Sequence, residues 1–430
     1  MRSRIQFVSR TLPHDGEHGA ATYALDLFRY LARMGFQIEY TLLGSPPLDF
    51  VGHYNVPQNV SRLIRLSAAG HAGWGRALFP QPRSSLGWVA SILGLTYPQL
   101  PAPLRALHRL LKPERETTLA SPGSTTPEVR PAFDDFPTTG EMAFFRAEYQ
   151  RLRPAVVVAD YAWMAPILDE VRHDEGTLRV VLTYDVLYQR IAEFDRCGVD
   201  SGHRRWTMEA ESALLRKAQL LIAIQDEDAR LLKAMAPEQE VLAAPFAARP
   251  RRSTRPAQPG RCLIVASRGL HNVYSVQWFL EEVWPRVRER YSTASLHVCG
   301  TVCEALTGEF PGVCLLGRVE DLAPEYGEAQ ACLAPLLMGS GLKIKLVEAL
   351  AYGRAIVATS VSLQGIRLAS GTAALVADSA PDFAVAIGRV LAEPDLRRQL
   401  EAGARAFAAA NLTPKSCYQP LVDRLRAHSG

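Results

Sequence analysis

The sequence predicts an α/β protein made of two Rossmann-like domains that face each other across a cleft. Short apolar runs of strand length alternate with stretches of helical periodicity through most of the 430 residues, a pattern typical of parallel sheets covered by helices. The alternation stops once, in a segment rich in proline and arginine, and then resumes. Because a chain of this length exceeds one ordinary hydrophobic core, we place a domain boundary at the interruption.

The first half opens with a predicted strand over residues 4–9, a loop that ends at His18 and Gly19, and a helix over residues 20–34. Gly35 ends this helix, since glycine is the usual residue just past a helix terminus. Four further apolar runs are predicted as strands: residues 37–43, 155–159, 179–183 and 220–224. Residues 51–141 carry many prolines and glycines without a strong period, and the sequence assigns them no role.

The predicted organisation is an N-terminal domain over residues 1–245, a linker over 246–260 and a C-terminal domain over 261–412. We expect residues 413–430 to form a helix that packs back on the first domain. The linker cannot continue a helix or a sheet because of its prolines, and its arginines fit either a solvated linker or a phosphate patch. The second half is predicted to hold a helix over residues 273–288 and strands over 262–266, 295–298, 313–316, 332–335 and 355–359.

Composition restricts the function classes. With 48% hydrophobic and 21% charged residues the chain is globular, and a formal net charge of +4 allows weak attraction to phosphates but is no nucleic-acid footprint. The seven cysteines include no CxxC pair, which indicates a reducing compartment and no structural zinc. No apolar run approaches a membrane span. We expect a cytoplasmic protein that is at most peripherally attached to the inner membrane face.

The sharpest motif is PLLMGSGLKIKLVEALAYG, from Pro335 to Gly353. A buried strand is expected to end at Pro335, and a helix to begin at Ser340 or Gly341. Glycines in such a loop let the backbone approach a ligand, and the free N–H groups of the first helical turn attract an anion.

Three charged residues follow the glycines of this motif. Lys343 and Lys345 oppose the helix dipole, and a bound diphosphate would account for both. On a helix begun at Gly341, Glu348 projects from the same face as Gly341 and can accept hydrogen bonds from ribose hydroxyls. The alternative is a surface pair between Lys345 and Glu348 at i,i+3 spacing.

The C-terminal half resembles the donor domain of the GT-B glycosyltransferases of the retaining group 1, or family-four-like, class. The resemblance rests on several short matches and one long one. The short matches are Asn272 with QWF (277–279) and VWP (283–285), VCG (298–300), and LGRVEDL (316–322) with Tyr326; the long match is the block GSGLKIKLVEALAYGRAIVAT (339–359). In the first half, His18-Gly19 with the helix that follows is similar to the glycine-loop opening of the family. AQLLIAIQ is similar to the last strand of the acceptor domain.

This resemblance implies a metal-independent hexosyltransferase of polysaccharide biosynthesis. Such an enzyme moves a sugar, with retention, from a UDP- or GDP-sugar to an acceptor hydroxyl. It needs no cofactor besides this nucleotide-sugar substrate. The implied catalytic set is Glu348, Lys343 and Ser340; the implied donor-binding set is Gly339, Gly341, Lys345, Arg268, Asn272, Arg318 and Val319; and the implied acceptor-side set is Gly19, His18, Tyr184 and Asp185. Arg318 and Val319 would lie by the base, residues 339–343 by the diphosphate and Glu348 by the ribose.

Three positions depart from the family pattern. Ser340 stands where the first glutamate of the E-x7-E pair is expected, His271 and Asn272 stand near the place of a lysine, and Tyr184 occupies the region of a histidine. These departures leave a second hypothesis open, a non-catalytic glycosyltransferase-like protein that binds carbohydrate or a partner. A nicotinamide-dependent oxidoreductase is excluded, because no GxGxxG follows a strand with an acidic residue about 20 positions on.

Other candidates have structural alternatives. His14 and His18 have HxxxH spacing but sit in a Pro/Gly loop, so no metal site is predicted. Asp160, Tyr161 and Asp185 end predicted strands at the edge where α/β proteins bind ligands, although capping explains them equally. Trp74, Trp88 and residues 104–115 fit either a membrane contact that presents a lipid-linked acceptor or a helical core segment.

Overall fold

The computed structural model describes residues 3–13, 19–44, 54–74, 76–80, 134–172, 176–198, 200, 206–251, 255–339, 341, 343–366 and 368–429. His14, His18, Trp88, Ser340 and residues 104–115 therefore lie outside the described residues, and the predictions made for them stay predictions.

The N-terminal sheet has seven strands in the order β10-β9-β8-β7-β1-β2-β4, and every neighbouring pair is parallel. Its central strands are continuous apolar runs such as Val156–Asp160, in which every residue is buried, because helices cover both faces of a parallel sheet. The strands are β1 (Arg4–Ser9), β2 (Gln37–Leu42), β4 (Ile64–Ala68), β7 (Val156–Asp160), β8 (Leu178–Leu182), β9 (Leu220–Ala223) and β10 (Glu240–Ala243). A small antiparallel sheet joins β3 (Tyr54–Asn55), β5 (His71–Trp74) and β6 (Ala77–Pro80).

Helices connect the strands of this domain. They are α1 (Gly19–Arg33), α2 (Gln58–Ser61), α3 (Thr139–Leu152), α4 (Leu187–Arg196), α5 (Met208–Leu215) and α6 (Asp226–Met235), with a 3₁₀ segment over Ala162–Glu170. Helix α3 begins with a capping box, in which the Thr138 hydroxyl accepts from the N–H of Glu141 and the Glu141 carboxylate accepts from the N–H of Thr138.

The C-terminal sheet has six parallel strands in the order β13-β12-β11-β14-β15-β16. They are β11 (Arg261–Val265), β12 (Ser295–Cys299), β13 (Val313–Gly317), β14 (Ala331–Ala334), β15 (Ala355–Ala358) and β16 (Ala374–Val376). The helices are α7 (Leu270–Trp278), α8 (Trp284–Arg290), α9 (Ala323–Glu328), α10 (Ile344–Ala351), α11 (Ala380–Ala392), α12 (Pro394–Asn411) and α13 (Pro414–Ser429). One π-helical turn over Phe279–Val283 joins α7 to α8, so the predicted helix over residues 273–288 is interrupted there.

The last helix, α13, packs on α1 of the N-terminal domain. The buried Tyr418 hydroxyl donates to Asp26 (2.9 Å) and accepts from the N–H of Ala247 (3.1 Å). The Arg424 guanidinium bonds Glu240 at the start of β10 (2.6 Å). The chain thus ends on the domain in which it began.

The predicted α/β class with two parallel sheets is confirmed. Each predicted strand differs from the observed one by at most one residue at either end. Arg251 and Arg255 of the predicted linker reach solvent and also contact the C-terminal domain. Arg251 donates to the Tyr352 hydroxyl (2.8 Å), and Arg255 and the buried Arg261 both bond Glu328. These arginines hold the segment against the C-terminal domain because carboxylates and a phenol stand opposite them.

Within the described part of the chain, no helix is long and apolar enough to cross a membrane. All seven cysteines are free thiols in this structure.

Candidate functional site

The carboxyl ends of the two parallel sheets face each other. A Cβ built on Gly341, in the loop after β14, would lie 2.5 Å from the carbonyl oxygen of Tyr184, which follows β8. Gly19 at the start of α1 has the Ile344 side chain of α10 at 3.2 Å from its own built Cβ. Parallel α/β sheets bind ligands at this edge, in the crevice where the strand order reverses.

The order of the C-terminal strands reverses between β11 and β14. The loop after β14 touches α7, the helix that follows β11: Ser275 Oγ accepts from the N–H of Leu337 (3.0 Å), and the ring of His271 lies 3.7 Å from a Cβ built on Gly339. The glycine motif therefore occupies the topological switch point of its sheet, the position predicted for a ligand in this architecture.

The predicted start of the following helix, at Ser340 or Gly341, is wrong. Helix α10 begins at Ile344 with Lys343 at its N-cap, because Gly341 has a φ of +74° and leaves the right-handed region. The helix has eight residues. Gly341 therefore lies outside the helix, and Glu348 does not share a helical face with it.

The two loop glycines have a role that the sequence did not indicate. Gly339 and Gly341 both adopt positive φ, at +124° and +74°, where residues with a Cβ are strained. Gly341 brings the loop against the backbone of Tyr184 in the opposite domain rather than only opening space for a ligand. The glycines thus fix how closely the two domains approach at the switch point.

Lys343 is the cation of this loop. Its ammonium donates to the carbonyl oxygens of Gly341 (2.6 Å) and Gly339 (3.2 Å). Burial lowers the pKa of Lys343 to about 8, against the opposing attraction of Asp228 and Asp185 from the N-terminal domain. A partly desolvated ammonium at a helix N-terminus is suited to an anion with more than one negative charge.

Glu348 lies one turn into α10 with its carboxylate one-quarter exposed. It accepts from the Tyr326 hydroxyl (3.1 Å) and from the Lys345 ammonium (3.1 Å), and its side chain is 23% exposed. Tyr326 is buried and stacks on Tyr352, with ring centroids 4.6 Å apart. Both arrangements that the sequence left open are therefore compatible with the structure: the pair with Lys345 exists, and Tyr326 fixes a carboxylate that still reaches solvent.

The other predicted donor residues all follow strands at the same sheet edge. Asn272, near the start of α7, donates to both the carbonyl and the hydroxyl of Ser267 (3.1 Å each) and so ties down the loop after β11. Arg318 and Val319 follow β13; Arg318 is exposed, and Val319 packs against the core. Arg268 is 63% exposed and contacts Glu304 at 3.4 Å, and among the described residues no hydrogen bond or ion pair joins it to the glycine loop.

His271, at the start of α7, lies beside Gly339 of the loop. Burial, and then the positive charges of Lys343 and Arg190, lower the pKa of His271 to about 4. The imidazole is therefore neutral at physiological pH. Its ring also meets Phe194 of α4 edge-on at a centroid distance of 6.5 Å, which adds another contact between the domains.

On the N-terminal side, Tyr184 is a packing and hydrogen-bonding residue. Its hydroxyl donates to Asp160 (2.9 Å), and burial raises its pKa well above the usual value. Its ring packs on Tyr161, centroids 4.5 Å apart, and Tyr161 has a φ of +70°, a strained conformation for an aromatic residue. Such strain at the carboxyl edge of a sheet is typical of functional positions.

Asp160 connects this cluster to β1. It is 5% exposed, accepts a short hydrogen bond from Ser9 Oγ (2.6 Å), and sits where the strand order of the N-terminal sheet reverses, between β1 and β7. Burial raises the pKa of Asp160 to about 6 despite the hydrogen bonds from Ser9 and Tyr184.

We expect Asp160→Asn to remove a pH-dependent part of the stability. Because the folded-state pKa is raised above the unfolded value, the native state binds the extra proton, and the wild type loses stability as pH rises from about 4 to about 6. A shift of about two units corresponds to about 3 kcal/mol. Urea unfolding of both proteins at pH 4.5 and 7.5 measures this effect. From pH 4.5 to pH 7.5, the free energy of unfolding of the wild type should fall relative to that of Asp160→Asn. A difference between the two proteins that is the same at both pH values contradicts the assignment.

Asp185, at the end of β8, is buried and forms an ion pair with Arg190 of α4 (2.9 Å). Asp228 in α6 is 3% exposed, and burial raises its pKa to about 7. Gln225 donates to Asp228 (2.7 Å) and abuts Gly365 of the opposite domain, where any Cβ would overlap the amide oxygen. The N-terminal face of the cleft is therefore rich in buried carboxylates that oppose Lys343.

Comparisons with known proteins show what this architecture is similar to. Residues 260–393 match the family model described as Glycosyl transferases group 1. None of the curated proteins matches the chain. Three solved structures are similar to it over nearly the whole chain. They are sucrose-phosphate synthase from Thermosynechococcus elongatus (15% identity, 99% of each chain covered, TM-score 0.67), Anabaena HepE in complex with UDP and glucose (12%, 99% of this chain and 100% of that one, 0.65) and an S. aureus TarM mutant in complex with Fondaparinux, alpha-GlcNAc-glycerol and UDP (9%, 98% and 99%, 0.64).

The chain has the GT-B glycosyltransferase fold. The family match covers the C-terminal sheet from β11 through the end of α11 and therefore includes the glycine loop, Lys343 and Glu348. No metal-binding group of three or more His, Cys, Asp or Glu residues occurs within the described part of the chain.

Sequence reasoning missed some residues of this GT-B cleft. Arg190, Gln225 and Asp228 line it from the N-terminal domain, although nothing in their local sequence sets them apart from ordinary helix residues. Their position after a strand could have indicated two of them. Gln225 and Asp228 follow β9 just as Asp185 follows β8, and the ends of parallel strands in one sheet lie at the same edge. Gly19 does reach the cleft, through Ile344.

Proposed function

We propose that this protein is a glycosyltransferase that moves a sugar, with retention, from a UDP- or GDP-sugar to the hydroxyl of a carbohydrate or lipid-linked acceptor. The observation that carries the proposal is the glycine loop with Lys343 at the switch point of a sheet that matches the group 1 family. The UDP in the HepE and TarM structures supports a nucleotide-sugar donor, as a proposal for this chain.

In the proposed arrangement the diphosphate lies against residues 339–343. The N–H groups of Ile344 and Lys345 start α10 and have no partner inside the helix, so they are available to phosphate oxygens. Lys343 adds a positive charge beside them. Charge that develops on the departing diphosphate is stabilised by donors already in place, which is the usual main source of rate enhancement in such a site.

Glu348 is proposed to bind the ribose. An ionised carboxylate accepts stronger hydrogen bonds than a neutral group, and Tyr326 and Lys345 hold its orientation before the donor arrives. The Arg318–Val319 segment is proposed to contact the base.

The acceptor side is proposed to be the edge formed by Gly19, Tyr184 and Asp185. Closure of the cleft there excludes water and aligns the acceptor hydroxyl with the donor sugar. Peripheral contact with the cytoplasmic membrane face stays part of the proposal for a lipid-linked acceptor.

We expect UDP or GDP to stabilise the protein in the presence of EDTA, because Lys343 and helix N–H groups neutralise the diphosphate without a cation. A ligand at about 100 times its Kd adds about 2.7 kcal/mol, which a melting curve detects. Stabilisation that appears only with magnesium or manganese would refute metal independence.

Release of UDP or GDP from a screened sugar nucleotide, with an acceptor present, separates an enzyme from a non-catalytic relative, which binds the nucleotide without turnover.

A further inference from the structure

Arg190 is a cation of the cleft that the proposed function does not yet use. It lies in α4 of the N-terminal domain, with a side chain only 17% exposed, and its Nη1 donates to Asp185 (2.9 Å). Its Nε and Nη2 atoms are enclosed and have no hydrogen-bond partner among the residues that the structure describes. Enclosed guanidinium donors without acceptors are costly, so the site is incomplete as it stands.

The guanidinium is close to the glycine loop. Asp185, to which it is bonded, has its Cβ 3.4 Å from a Cβ built on Gly341. One turn further along α4, Phe194 meets His271, and His271 packs beside Gly339. Arg190 and Lys343 both act on the pKa of His271 as nearby positive charges. Arg190, His271 and Lys343 thus surround the same loop.

Two other predicted cations of the donor site do not place a guanidinium at the glycine loop. The arginine that the family resemblance implied for the diphosphate, Arg268, is 63% exposed and contacts Glu304. Lys343 uses its ammonium on two loop carbonyls. An arginine offers planar paired donors that match phosphate oxygens better than the single ammonium of lysine does.

We propose that Arg190, held in place by Asp185, donates its free Nε and Nη2 hydrogens to the diphosphate of the nucleotide-sugar donor from the N-terminal side of the cleft. The inference rests on the proposed function. Both domains then contribute residues to the donor site, because the diphosphate lies between Arg190 and the glycine loop of the C-terminal domain.

The test compares Arg190→Gln with Arg196→Gln, a matched control in the same helix whose guanidinium is 64% exposed and pairs with Glu193. Each protein is titrated calorimetrically with UDP and with uridine, and with GDP and guanosine in parallel. We expect Arg190→Gln to weaken nucleoside diphosphate binding about tenfold or more and to leave nucleoside binding unchanged. The control should bind both as the wild type does.

Unchanged diphosphate affinity in Arg190→Gln, or equal losses for nucleoside and diphosphate, overturns the inference. If the glutamine variant does not fold, Arg190→Lys keeps the charge and removes the planar donor pair, and it should still weaken the diphosphate several-fold. A wild type that binds neither UDP nor GDP refutes the proposed function itself, whereas a wild type that binds with an unaffected Arg190 variant refutes this inference alone.

Discussion

Replacing Lys343 by methionine is expected to weaken UDP binding between about tenfold and about 100-fold, because a hydrogen bond to a charged group contributes about 1.5–3 kcal/mol. Turnover should fall further, by about 10²–10³, if the ammonium stabilises charge on the departing diphosphate. Uridine should bind to the variant as it does to the wild type, because the base and ribose are proposed to lie at other residues. Calorimetric titration with both ligands and an initial-rate assay measure these effects.

The matched control for this variant is Lys233→Met, near the end of α6, where the ammonium bonds the carbonyl oxygen of Gln239 in the following turn. It should leave both affinities unchanged. A second readout follows from the pKa of Lys343 at about 8: the affinity of the wild type for UDP should decline as pH rises through 8, and that of Lys343→Met should not share this decline. Equal losses of UDP and uridine in Lys343→Met would indicate damage to the loop instead of a missing phosphate contact.

The two sheets were predictable because their signals are local. Val156–Asp160 and Ala355–Ala358 are continuous apolar runs, and such runs between helical stretches suit only a strand covered on both faces. The glycine motif was also visible, since two glycines and a lysine between a strand and a helix form a recognisable pattern.

What could not be predicted depends on contacts between distant parts of the chain. The start of α10 was placed too early because Gly341 leaves the helical region in order to meet the Tyr184 carbonyl, more than 150 positions away. Arg261, one residue past the predicted linker, is buried by ion pairs with Glu325 and Glu328, which lie more than 60 positions later in the chain. Arg190 is one of several arginines on helices, and only the folded chain shows that it bonds Asp185, which lies against Gly341 of the other domain.

The central claim is that the loop at residues 339–343 and the helix α10 bind a nucleotide through its diphosphate and ribose. Glu348 tests the ribose half of this claim, because Glu348→Gln keeps the shape of the side chain and removes the charge. Among the described residues, its side chain bonds Tyr326 and the half-exposed Lys345, and a surface pair of this kind contributes at most about 1 kcal/mol to stability. The variant should therefore stay folded.

The most direct measurement is a calorimetric titration of wild type and Glu348→Gln with UDP or GDP, whichever binds the wild type, alongside their melting curves. A lost hydrogen bond between an ionised acceptor and a ribose hydroxyl costs about 1.5–3 kcal/mol, so the account predicts that affinity falls about tenfold or more while the melting temperature is nearly unchanged. Equal affinities in the two folded proteins would contradict the account, because Glu348 would then be only the surface partner of Lys345.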